Sequence, residues 1–112
     1  MTEKELEIII RKRCDSIIEN LNRKGLEYSR NRDPLHNFNV GSRISGLSRE
    51  KVLWGFALKH YISFLDMLDD VSLSRLPTES YVDEKIGDLI NYLILCEASI
   101  KDKIKKDGTP KS

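Results

Sequence analysis

From Val52 to Leu68 the chain carries a helical run that is apolar on almost every side. Val52, Leu53, Trp54, Phe56, Ala57 and Leu58 are followed by Tyr61, Ile62, Phe64, Leu65, Met67 and Leu68. A helix of this kind belongs in the middle of a bundle or at an interface between copies. Ser48 is suited to cap its start, with Glu50 in the first turn. Gly55 costs about 1 kcal/mol of helix propensity relative to alanine, and close backbone packing there would be a reason to keep it. Lys59 and His60 are the polar interruptions.

The flanking segments carry the same helical period with one apolar stripe each. Thr2 and Glu5 form a capping box, and Leu6, Ile9, Ile10, Cys14, Ile17, Ile18 and Leu21 recur at helical spacing. A first helix is expected from about Glu3 to Lys24, closed by Gly25. The period then stops over residues 26–38, a polar, arginine-rich loop broken by Pro34. Asn37 or Asn39 could open a short helix that passes Val40 and Ile44 and ends at Gly46. Beyond a connector from Val71 to Pro77, Thr78 or Ser80 caps the last helix. Its stripe runs Val82, Ile86, Leu89, Ile90, Leu93, Ile94, Ala98, Ile100 and Ile104. No run alternates as a strand would. The expected fold is all-α: three long helices and one short one, a single domain over 1–107 with a flexible C-terminal tail at 108–112. A chain this small buries only about two-thirds of its unfolded surface. The apolar helix therefore implies a bundle completed by oligomerisation, a homodimer or larger.

Charge excludes several classes. Nineteen Lys and Arg oppose eighteen Asp and Glu, and no apolar run approaches the roughly 18–20 residues of a membrane crossing. The acidic start Met1-Thr2-Glu3-Lys4-Glu5 does not read as a signal peptide, so a cytoplasmic protein is expected. Residues 11–51 hold ten basic and five acidic side chains, and residues 52–88 three and seven. A pI near 7.7 argues against a nucleic-acid coat. Cys14 and Cys96 are too few and too far apart for a zinc or redox pair, and both are expected reduced, as small apolar residues.

The chemistry-bearing residues fall in three places. Lys59 must either snorkel to water or meet an anion such as Asp88, Glu84 or a phosphate; His60 reads as a structural histidine. Glu84 and Asp88 lie four apart on one helix face, with Asn91 and Tyr92 a turn on, and two such carboxylates can share a magnesium ion or form ordinary ion pairs. The loop gathers Tyr28, Arg30, Arg32, Asp33, Asn37 and Phe38. Aromatic faces stack on bases, amides read base edges and arginines hold phosphates. The plainer alternative makes Tyr28 and Phe38 hydrophobic plugs and Asn37 a cap. Arg43 adds a cation beyond the loop.

These motifs together resemble a family. Gly25 to Phe38 with its Asp33-Pro34-x-x-Asn37-Phe38 element, the Ser48 helix, and Glu79-Ser-Tyr-Val-Asp83 leading into Asp88-Leu-Ile-Asn-Tyr92 resemble small phage and prophage proteins of the nucleotide modification associated domain type. They are more remotely similar to the all-α nucleoside triphosphate pyrophosphatases of the MazG type. The resemblance spans roughly residues 23 to 100. It implies an oligomeric helical fold, a role near nucleotides in the bacterial host cytoplasm, and Glu84 and Asp88 at the second acidic motif of the pyrophosphatases. The first acidic motif has no counterpart, since Trp54 to Leu65 offers Lys59 and no carboxylate. Three functions are in competition. First stands nucleotide binding without strong catalysis, through Lys59, Arg30, Arg32 and Arg43 on phosphates, Tyr28 or Phe38 on the base, and Asp88 or Asn37 orienting it. Second is a protein-interaction module using Trp54, Tyr61 and Phe64; third is a magnesium-dependent nucleotide pyrophosphatase.

Overall fold

A computed structural model describes the backbone of residues 1–28 and 33–107, and the side chains of residues 1–23 and 33–107. It contains four α-helices: α1 (Glu3–Tyr28), α2 (His36–Ser45), α3 (Arg49–Ser72) and α4 (Glu79–Asp107). No strand occurs among the described residues.

The helix starts follow the side chains that satisfy their free amides. The Thr2 amide donates to Glu5 at 2.9 Å and the Glu5 amide donates to the Thr2 hydroxyl at 3.1 Å, a closed capping box. Ser48 accepts from the Lys51 amide at 3.2 Å and Thr78 from the Tyr81 amide at 3.2 Å. Two boundaries differ from expectation. Helix α1 passes through Gly25 to Tyr28, because one glycine's propensity cost is too small to end a helix followed by Leu26 and Glu27. Neither Asn37 nor Asn39 caps α2. Asp33 shapes its entry instead, its carboxylate accepting from the Leu35 amide at 3.0 Å and its carbonyl from His36 at 3.1 Å, an Asx turn held by Pro34. Gly46, at φ 75°, closes α2 in the left-handed conformation that favours glycine.

Helices α3 and α4 form an antiparallel hairpin. Arg49, at the start of α3, meets Ser99 and Asp102 near the end of α4, whereas His60, further along α3, meets Asp88. The α3 residues turned toward α4 are Leu53, Ala57, His60, Phe64 and Met67, a seam spaced four and three. Helix α1 runs parallel to α4, with Arg13 donating to the Asp83 carbonyl at 3.2 Å. Helix α2 lies on α3 so closely that a Cβ at Gly41 would stand 3.0 Å from a Val52 methyl. The core is a cluster of Leu35, Phe38 and Leu53, with Val52, Tyr92, Leu95 and Cys96 packed on it.

Much of the apolar stripe predicted for each helix is left uncovered. Trp54, Leu58, Tyr61, Leu65 and Leu68 on α3 are exposed, as are Leu6, Ile9, Ile10 and Ile18 on α1. Both cysteines are free, and Cys14 is exposed where an apolar partner was expected. Nothing lies within 4 Å of a Cβ built at Gly55, so the close packing anticipated there is absent from the single chain. No helix of the described residues is long and apolar enough to cross a membrane. Replacing Ser48 with alanine removes the α3 cap and should cost about 1 kcal/mol of stability, measured by urea denaturation.

Candidate functional site

The most connected side chain is Arg49, in the first turn of α3 and only 11% exposed. Its Nε donates to the Ser99 hydroxyl at 2.6 Å and Nη2 to the Ser99 carbonyl at 3.0 Å and to Asp102 at 3.1 Å. Nη1 donates to the Asn39 side-chain oxygen at 3.1 Å. The Asn39 amide in turn donates to Asp33 at 3.0 Å. One planar guanidinium therefore ties the segment before α2 to α2, α3 and α4, and leaves one of its five N–H groups uncommitted among the described residues. Ser99, fully buried, donates onward to Glu50, which also accepts from Lys103.

Beside this network lies a cleft of about 490 Å³ between α1, the segment before α2, and α4. Leu21, Leu35, Ile94, Leu95 and Ala98 give it an apolar lining. Asp33, Asn39, Arg49, Asp102 and Lys106 supply its polar groups. Its volume falls within the roughly 300–1,000 Å³ of small-molecule sites. Lys106 is exposed and pairs at 3.1 Å with Asp102, four residues back on α4.

A second cluster is a ladder of rings. Phe38 meets Phe56 edge-on at 5.9 Å, Phe56 stacks on Tyr92 at 6.3 Å, and Tyr92 stacks on His60 at 5.0 Å. His60 Nδ1 lies 3.5 Å from Asp88. Asn91 is 2% exposed, and its side-chain oxygen has no hydrogen-bond partner among the described residues.

The predicted site residues that are described do not gather at one place in this arrangement. Asp33 lines the cleft but spends its carboxylate on the turn and on Asn39. Phe38 is a core residue, as the plug alternative has it, while Asn37 and Arg43 are exposed on α2. Lys59 is exposed and makes no ion pair among the described residues. Successive helical side chains point about 100° apart, so the inward seam takes His60, and His60 meets Asp88 in place of Lys59. Asp88 and Asn91 sit on α4, and Glu84 is exposed. Among the described residues no three His, Cys, Asp or Glu side chains gather as a metal site. Arg30 and Arg32, and the side chain of Tyr28, lie outside the described residues. Arg49, Asn39, Ser99 and Asp102 escaped the sequence reading. Arg49 follows a cap like any solvated first-turn residue, and its partners lie 10 to 53 residues away.

Proton affinities follow the network. Burial raises the Glu50 carboxyl, but hydrogen bonds from Lys103 and Ser99 outweigh it and hold the group below its ordinary value. Hydrogen bonds from Lys106 and then Arg49 lower Asp102 in the same way. Burial, and secondarily the Glu50 charge, push the Cys96 thiol up.

Comparison with protein-family models, curated proteins and solved structures finds no match for this chain.

Two outcomes follow from the network. Removing the fork by Arg49→Ala strands Asn39, the Ser99 carbonyl and Asp102, and should cost on the order of 3 kcal/mol. Arg49→Lys should recover little of it, because an ammonium cannot span the same acceptors; urea denaturation reads both. Lowered folded-state values for Glu50 and Asp102 mean that the unfolded chain binds more protons in acid. Their contribution is complete above the ordinary carboxylate range of about pH 4 and is lost as pH falls through the lowered values. Urea midpoints between pH 6 and pH 3 should fall less steeply in the Glu50→Gln, Asp102→Asn double variant than in the wild type.

Proposed function

We propose that this chain is an oligomeric helical protein that binds a nucleotide or a related small phosphorylated ligand, without strong catalysis, in the cleft beside Arg49. The observation that carries the reading is the composition of that cleft. The apolar lining of Leu21, Leu35, Ile94, Leu95 and Ala98 is bordered by the hydrogen-bonding groups of Asp33 and Asn39 and by two cations, Arg49 and Lys106. Lys106 is itself exposed and Arg49 has one N–H uncommitted among the described residues, so both are offered to an anionic group at the mouth. The resemblance of residues 23 to 100 to small phage proteins of the nucleotide modification associated domain type supports the same ligand class. This assigns phosphate binding to Lys106 and Arg49, with Arg30, Arg32 and Arg43 as further cations.

A thermal-shift and calorimetric screen of nucleoside mono-, di- and triphosphates, with inorganic phosphate and pyrophosphate alongside, tests the proposal. A stabilising nucleotide is expected, with at least fivefold weaker binding in Lys106→Ala, each protein's shift being read against its own ligand-free melting temperature. No stabilisation by any of them rejects it. Pyrophosphate release assayed with magnesium in the same samples separates this reading from a pyrophosphatase using Glu84 and Asp88. Release abolished by Asp88→Ala would favour the enzyme. A second reading, a module that docks on another protein, is favoured by the exposure of Trp54 and Tyr61.

A further inference from the structure

Helix α3 carries two apolar seams. The inward one is covered by α4. The outward one, Trp54, Leu58, Tyr61, Leu65 and Leu68, repeats the same four-three spacing one residue later, and every member is exposed. That spacing is the pattern of a helix packed on a second helix by knobs and holes. Its two rings already pair, Trp54 and Tyr61 lying 6.2 Å apart between centroids.

We infer that the outward seam of α3 is the interface with a second copy of this chain, the two α3 helices crossing antiparallel about a two-fold axis near Tyr61. This rests on the oligomeric part of the reading above and specifies its surface, order and geometry. Charge selects the direction. Lys51 and Asp69 flank the two ends of the seam on one side of the helix, both exposed and neither in an ion pair among the described residues. An antiparallel crossing sets Lys51 of one copy beside Asp69 of the other at both ends, and a parallel one sets like beside like. Gly55, with open space over it, lies beside the seam and lets a second backbone approach. The outward stripe of α4 is a poorer candidate, because Glu97 and Lys101 interrupt Leu93, Ile100 and Ile104 with an ion pair of their own.

Trp54 is the chain's one tryptophan and reports directly on the seam. Sedimentation of the full chain at micromolar concentration should give twice the 13.0 kDa chain mass. Trp54 emission should be blue-shifted and shielded from acrylamide, becoming exposed on dilution in step with the loss of dimer. Leu65→Glu should shift the dimer dissociation constant at least a hundredfold, with Leu65→Met close to wild type. If Leu65→Glu does not fold, the wild-type dilution series decides alone. A monomer with solvent-exposed Trp54 at all concentrations overturns the inference. So does a dimer unmoved by Leu65→Glu but broken by Ile100→Glu, and so does shielding of Trp54 only by a different protein. Nucleotide thermal shifts on the same wild-type samples keep the two readings apart. A monomer that is stabilised by nucleotide loses only the interface, and a dimer indifferent to nucleotides loses only the ligand.

Discussion

The guanidinium of Arg49 holds this fold to one arrangement. Helices α3 and α4 form a seam that could slide by a turn at modest cost in apolar contact. Four directed hydrogen bonds from one planar group, to Ser99 twice, to Asp102 and to Asn39, permit a single register. The same group fixes where α2 begins, because Asn39 passes the restraint on to Asp33 and hence to the turn at Pro34. A buried ion pair rarely adds much net stability, but it penalises every alternative packing that leaves its charges unpaired. That role suits a chain whose apolar core is small.

The core cluster around Leu53 shares Leu35 and Leu95 with the cleft and Phe38 and Tyr92 with the ring ladder. The cleft combines its apolar lining with mixed charges. The ladder carries the rings from Phe38 to His60, ending on Asp88. Among the described residues, Lys59 of α3 and Asp88 of α4 therefore do not meet. His60 enters the helix interface and Lys59 turns to solvent, while the polar groups at the cleft come from the first turn of α3, the last turns of α4 and the segment before α2. In this arrangement the cleft is shaped by residues 33–35, by α1 and by α4, and the ring ladder braces α2 against the hairpin.

The uncovered apolar surface belongs to the same account. The buried core of the described chain reduces to Leu35, Phe38, Leu53, Ala57 and Met67. A domain of this length gains its few kcal/mol of net stability from apolar burial set against chain entropy. With so many large aliphatic side chains of α1 and α3 in water, much of the burial that the composition makes possible is still to be realised. The dimer inferred above would realise part of it, because the exposed α3 residues already lie at helical spacing.

Local chemistry alone determined the four helices, the capping box at Thr2, the cap at Ser48, the left-handed stop at Gly46 and the all-α class. Each depends on interactions within about four residues of the chain, which a sequence displays directly. Helix α1 overran its expected end because a glycine's local preference is weak beside the cooperativity of a long helix. Only tertiary structure decided that His60 rather than Lys59 meets Asp88, that Phe38 is core, and that Arg49 is the hub. Those outcomes turn on 100° steps around each helix and on partners as far as 53 residues away. Such distances appear in a sequence only after the helices have been set against one another.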